Sequence, residues 1–431
     1  MNLKKRQPIL QVLLANITMA FVLIYLICLL VLGLPVMVME FSLGRASQAS
    51  PIGIHKKLQQ PGQKWHWHGK MALVANFLLM MFYTSVTGWI LYYFISFLKG
   101  DMTGITDSAS EQLFDGMLKS PLITVGFMAI VVVVGYLVLS FGVQKGLERV
   151  TKYMMLALLF LMIVLAIHSF TLEGAKEGLT FYLMPDFSKI NGNVIVGAMN
   201  QAFFTLSLGI GSMAIFGSYI GKERSLMGES VNILVLDTFV AIVAGLIIFP
   251  ACFTFDVEPA AGPKLLFVAM AKVFNNMSGG RWWGSLFFLF MVFAAFSTIT
   301  AVFENILACV RELTNWGRIK TCVICGIALF VLSVPCALGF NLWSDFVPFA
   351  SGSSVLDLED FIVSNCCLPI GALCYLLFCV TKKGWGWDNF VKEANEGKGL
   401  KVKNFMKYYC MFVIPAIIVV LFVLGLYNYF K

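Results

Sequence analysis

Gln201-Ala202-Phe203-Phe204-Thr205-Leu206-Ser207-Leu208-Gly209-Ile210-Gly211 sits inside an apolar run at 194–220 and places two glycines and two hydroxyl residues where a helix should be most regular. Glycine costs a helix interior roughly 1 kcal/mol relative to alanine, so something must compensate. Two readings are open. Small residues let helices pack closely in a bilayer. Alternatively the helix is broken at mid-depth, and its half-helix ends and freed carbonyls bind a carboxylate and cations, as in membrane proteins built from inverted repeats.

The surrounding chain identifies the solvent. Of 431 residues, 59% are apolar and 13% charged, with a mean hydropathy of +0.85, whereas a soluble domain carries roughly 25% charged residues. The 39 Phe and 22 Met suit lipid-facing and helix-packing surfaces. A span needs about 20 apolar residues, and such runs occur near 17–41, 71–98, 121–141, 153–170, 194–220, 231–255, 286–310, 319–340, 358–380 and 405–430. The expectation is an all-α, polytopic membrane helix bundle of ten spans. It forms one transmembrane domain over 17–431, preceded by a separate segment 1–16.

Lys and Arg number nineteen in the loops 42–70, 142–152, 221–230, 311–320 and 381–404, against seven in the alternate loops. The first set is therefore placed in the cytoplasm. The net charge of +8 is read as orientation coding, and nucleic acid is not implied. This orientation runs the first span inward and strands Lys4-Lys5-Arg6 outside, against the same rule. Ile9 to Ala15 is too short to cross, so the charge pattern alone predicts one missing helix in front. A cleavable signal peptide fits poorly, since the apolar run continues to Met39 and ends in a charged, glycine-containing segment. A first span that fails to cross, leaving the basic tail inside, is the favoured way out of the conflict.

The eleven cysteines fall mostly within apolar stretches and read as small buried hydrophobes. Cys322 and Cys325 have redox spacing without a second pair or a strand-helix context. His66-Trp67-His68, between Lys64 and Lys70, reads as an interfacial aromatic anchor in preference to a metal site. No HExxH motif or nucleophile elbow supports an enzyme.

Several motifs carry a resemblance. Ala20-Phe21-Val22-Leu23-Ile24-Tyr25-Leu26, then Leu32-Gly33-Leu34-Pro35, Glu40-Phe41 and Leu43-Gly44-Arg45 resemble the second helix and first cytoplasmic loop of the neurotransmitter:sodium symporter family. Asn16-Ile17-Thr18-Met19 replaces the family's Gly-rich lead-in. Tyr83-Thr84-Ser85-Val86-Thr87-Gly88-Trp89 resembles the third helix, and Gly142-Val143-Gln144-Lys145-Gly146-Leu147-Glu148 the turn before the fifth. The 201–211 stretch with Gly217-Ser218-Tyr219 resembles the sixth. Asp237 with Ala244-Gly245 and Ile248-Phe249-Pro250 resembles the seventh, and Phe293-Ala294-Ala295-Phe296-Ser297-Thr298 the eighth. The likeness covers 20–431 and points to the prokaryotic eleven-helix branch without its first transmembrane helix.

The resemblance implies a leucine-transporter-like, inverted-repeat symporter fold in the cell membrane, with Na+ as coupling ion, no other cofactor, an amino acid or related small amine as substrate, and a possible homo-oligomer. It assigns Tyr83 to the substrate carboxylate and Phe204 to an aromatic lid. Thr205, Ser207, Ile210, Leu79, Val302 and Thr298 join them in lining the substrate site, favouring an apolar side chain. It assigns Thr205 and Asp237 to a first sodium, and Ala294, Ser297 and Thr298 to a second. Asp237 would supply the fixed negative charge that chloride supplies in many animal members, giving chloride independence. Asp360 matches an outer-gate acid, and Glu312 with Tyr219 an inner gate, while the arginines expected opposite both acids belong to the absent helix.

Residue by residue, blander readings stand beside these. An intramembrane acid such as Asp237 costs around 2.5–3.5 kcal/mol and is usually functional, but protonation or helix–helix hydrogen bonds also accommodate one. Mid-helix hydroxyls such as Ser297 and Thr298 usually bond their own i−4 carbonyls. Glu40 and Glu304 read as structural hydrogen-bonding groups. The functional expectation is a truncated sodium-coupled amino-acid symporter that cannot concentrate its substrate. The alternative is a transport-inactive binding or partner protein of the same fold.

Overall fold

A computed structural model describes residues 19–102, 104, 107–141, 144–255, 265–276, 278–348 and 353–430. The 1–16 segment with Lys4, Lys5 and Arg6, and Gly142-Val143 of the fifth-helix motif, lie outside the described residues. Among the described residues the chain is helical, and the one β-type pairing is an isolated bridge between Arg224 and Lys398.

Eight helices among the described residues are long and apolar enough to cross a membrane. They are α1 (Met19–Ser47), α3 (His66–Lys99), α5 (Pro121–Ser140), α10 (Leu226–Thr254), α12 (Gly280–Thr314), α13 (Arg318–Leu338), α14 (Val355–Val380) and α16 (Met406–Tyr427). Between them lie α2 (Pro51–Leu58), α4 (Asp107–Lys119), α6 (Gln144–Ser169), α7 (Ala175–Leu183), α11 (Met270–Asn276) and α15 (Trp387–Ala394). The 194–220 run is interrupted: α8 (Gly192–Thr205) and α9 (Ser212–Tyr219) flank an irregular Leu206–Gly211. The run at 153–170 belongs to α6, which carries a shorter apolar stretch at Met155–Ser169.

The expectation that 17–41 fails to span does not fit α1, a 29-residue apolar helix whose Leu29, Val36, Met37, Met39 and Leu43 are fully buried in the main core. Its C-terminal half lies directly on α9, because glycines at the crossing let backbones meet. A Cβ on Gly217 would fall 2.7 Å from Phe41 Cα, and one on Gly44 would overlap the Ala214 carbonyl. Within α1 the helix widens to π-type turns over Leu29–Gly33, and the Val31 carbonyl accepts a 2.8 Å bond from the Tyr409 hydroxyl of α16. A second π-type stretch, Phe361–Cys367, lies within α14. Such widenings are frequent at functional positions.

α3 and α12 form the densest pair in the bundle, and α5 and α13 pack on α3. Glu304 of α12 takes Arg318 in a two-pronged ion pair at 2.7 and 3.1 Å, which is the structural role read for it. At the C-terminal end of α1, Arg45 is buried against Glu393 of α15 (Nε to Oε1 2.6 Å). It also donates to the carbonyl oxygens of Arg224 at 3.0 Å and of Glu393.

The His66-Trp67-His68 reading needs a correction. Trp67 is 60% exposed with the Lys70 ammonium 4.1 Å from its ring centroid, as an interfacial anchor would be. His68, however, is buried, 3.4 Å from His55 and edge-on to the Tyr375 ring. One residue of helix turns the side chain by about 100°, which moves it from the exposed position of Trp67 into the core.

Candidate functional site

The 206–211 break is built by specific residues. Ser207, Gly209 and Gly211 have φ of 49°, 88° and 78°, a region that costs a side-chain-bearing residue roughly 1–2 kcal/mol and glycine nothing. The freed backbone groups are met by side chains of three other helices. Gly209 N–H donates to Glu40 Oε1 at 2.6 Å, and the Ile210 carbonyl accepts from Asn76 Nδ2 at 2.9 Å and Asn305 Nδ2 at 3.5 Å. Asn305 also reaches Asn76 Oδ1 at 3.3 Å. All three polar residues are at most 1% exposed. Glu40 is therefore a structural hydrogen-bonding group, as read from the sequence.

A cavity of about 250 Å³ opens against the break, lined by Leu79, Tyr83, Gln201, Phe204, Thr205, Ser207, Ile210, Asp237, Thr298 and Leu368. Pockets for larger drug-like molecules start at about 300 Å³, so one amino-acid-sized molecule suits it. Seven of the eight residues expected to line a substrate site meet here, and so do both expected for a first sodium. Val302 does not join the wall; it is buried in the core one turn along α12.

The Asp237 carboxylate accepts a 3.0 Å bond from the Tyr25 hydroxyl of α1, and Tyr25 also faces Thr205. Gln201 Nε2 donates to Thr205 Oγ1 at 3.1 Å, and the Tyr83 phenol faces Thr298. Ser297 and Thr298 direct their hydroxyls at the Ala294 carbonyl, at 2.7 and 3.5 Å. Lone pairs on those oxygens stay available to a hard cation.

The gate residues are less drawn together. Asp360 Oδ1 accepts from Ser364 at 2.7 Å. Glu312 accepts from the Ser50 hydroxyl at 2.5 Å and its amide at 3.3 Å, while Tyr219 is 65% exposed at the end of α9.

Sequence reasoning missed Tyr25, Asn76, Asn305 and Leu368. A tyrosine or asparagine in an apolar run is a signal that a polar partner exists, but nothing in the spacing says which one. Gln201 opens the decisive motif and was passed over as a wall residue.

Spanning helices around a polar cavity, with one helix broken beside it, make the construction of a membrane transporter. The family model for the sodium:neurotransmitter symporter family matches residues 12–110 and 108–431. The chain belongs to that family of multi-pass, sodium-dependent transporters. It is 34% identical over 409 residues to the sodium-dependent transporter YhdH of Bacillus subtilis, covering 94% of this chain and 89% of the relative. A sodium-dependent transporter of Haemophilus influenzae is 33% identical over 425 residues, covering 95% and 90%. The crystal structure of MhsT in complex with L-phenylalanine superposes with a TM-score of 0.89 at 33% identity, over 96% of this chain and 93% of that one.

Proposed function

We propose that the chain binds an apolar amino acid in the Asp237 cavity together with sodium. The observation that carries this is the wall itself: Leu79, Phe204, Ile210 and Leu368 offer an apolar half, facing Tyr83, Thr205, Ser207, Asp237 and Thr298. A zwitterion with a hydrocarbon side chain matches both halves. In this reading Tyr83 holds the carboxylate and Phe204 covers the side chain. Thr205 with Asp237 bears one sodium, and Ala294, Ser297 and Thr298 bear another. Asp360, Glu312 and Tyr219 serve as gates.

The test is uptake of labelled leucine and phenylalanine into proteoliposomes under an inward sodium gradient. Stimulation by sodium and indifference to chloride are expected; a chloride requirement in the unaltered protein would overturn the role given to Asp237. Asp237→Asn should lower uptake or create a need for chloride. Tyr25→Phe removes the 3.0 Å bond to that carboxylate together with the hydroxyl facing Thr205. A hydrogen bond to a charged group is worth about 1.5–3 kcal/mol, so sodium affinity should fall about tenfold or more, read from the sodium dependence of uptake.

A second reading, binding without accumulation, is favoured by the ion sets. The second comes from one turn of α12, and the first from two side chains. Saturable sodium-dependent binding with no gradient-driven uptake would select it.

A further inference from the structure

We propose a further alkali-cation site behind the cavity, between α3, α13 and the start of α14, with the Glu359 carboxylate as its charged ligand and the hydroxyls of Thr84, Ser85 and Ser333 as neutral ones. Glu359 is 3% exposed, and among the described residues its carboxylate has no oxygen or nitrogen hydrogen-bond partner, only the Cys336 thiol beside it. The first turn and a half of α14 packs on both α3 and α13. There the Cys336 thiol lies beside Glu359 and beside Ser85. The Thr84 hydroxyl reaches Ser333 Oγ at 3.3 Å. Thr84, Ser85, Ser333 and Cys336 are all fully buried.

Donor accounting shows what is lacking. Thr84 directs its proton to the Met80 carbonyl at 2.8 Å, and Ser85 directs its own to Met81 at 3.3 Å. Their lone pairs are left over, and the thiol is at best a weak donor. The carboxylate thus has only a weak thiol donor beside it and, among the described residues, no ion-pair partner, whereas buried charges are paired or coordinate metals. A cation bridges oxygens held further apart. One carboxylate among neutral hard oxygens matches a monovalent ion better than a divalent one. Thr84 adjoins Tyr83, and α14 carries Asp360 and Leu368, so an ion here would tie two walls of the cavity together from behind.

This inference does not depend on the role given to Asp237. The test is equilibrium binding of radioactive sodium to the purified full-length protein, with choline keeping ionic strength constant. Glu359→Gln is expected to bind about one sodium fewer per chain while still binding amino acid at high sodium, because a charged buried ligand is lost. Ser85→Ala should weaken one sodium step about tenfold, which keeps the proposal testable if Glu359→Gln fails to fold. Asp237→Asn should alter a different step, so the two variants combine independently. Unchanged sodium binding in both Glu359→Gln and Ser85→Ala would overturn the site and assign the carboxyl to a proton or a water. Failure of the unaltered protein to bind sodium would overturn it as well, whereas loss of sodium binding in Asp237→Asn alone would support only the cavity assignment.

Discussion

Gly371→Val is expected to leave little folded protein, the largest single-residue effect in the bundle. Gly371 of α14 crosses the helix break with backbone against backbone. A Cβ on it would overlap the Gly209 carbonyl oxygen and stand 2.7 and 2.8 Å from Gly209 C and Cα. The contact is reciprocal, since a Cβ on Gly209 would overlap the Leu368 carbonyl and lie 2.8 Å from Ala372 N. Overpacking a core usually costs about 1–3 kcal/mol when side chains can yield. Here no rotamer can relieve the clash, and moving the backbone would break the Glu40 and Asn76 bonds that hold the same segment. Monodispersity in detergent and amino-acid binding both report the loss. Gly126→Ala is the control: a Cβ there meets nothing within 4 Å, so helix propensity should make that variant neutral or stabilised by about 1 kcal/mol. A folded, binding Gly371→Val protein would refute the crossing.

Arg45→Met should be the next most damaging change. The Arg45 side chain is 1% exposed and that of Glu393 11%. Removing the guanidinium leaves a carboxylate and the carbonyls of Arg224 and Glu393 without their donor. Breaking one partner of a buried pair costs about 3–5 kcal/mol, whereas replacing both with apolar groups is often tolerated. Thermal unfolding in detergent should therefore show a large drop for Arg45→Met and a partial recovery for Arg45→Met with Glu393→Leu. Equal loss in the single and double variants would mean that the bonds to the 221–224 loop matter more than the pair.

Much of this architecture was legible because bilayer physics writes in long apolar runs. All ten predicted runs contain helix, and the glycines and hydroxyls of 201–211 marked the break. The cavity wall was legible through resemblance far more than through chemistry, since Leu79 or Ile210 taken singly looks like any packed residue. What stayed hidden are the pairings across hundreds of residues. Tyr25 and Asp237 are 212 positions apart, and Arg45 and Glu393 are 348 apart. No periodicity encodes such a meeting. The burial of His68 was misread for a related reason: a single step of about 100° along the helix separates exposed Trp67 from a buried ring.

The break also divides the cavity between two lever arms. Gln201, Phe204 and Thr205 ride on α8, while Ile210 belongs to the segment clamped by Glu40, Asn76 and Asn305. Leu206 and Leu208, between them, bond only back into α8, through the carbonyls of Ala202 and Phe203. The clamped arm is hydrogen-bonded to three helices, whereas α8 packs on α1, α14 and α16 and is tied to α14 by one side-chain bond, Asn200 Nδ2 to Asn365 Oδ1 at 2.5 Å, so tilting α8 about that bond would change the width of the cavity directly. In this hypothesis the bound side chain acts as a wedge in a jaw, and its size sets the angle between the arms. Probes at Gln201 and Met213 should then report a separation that grows with the bulk of the bound amino acid, and a separation indifferent to ligand size would dismiss the idea.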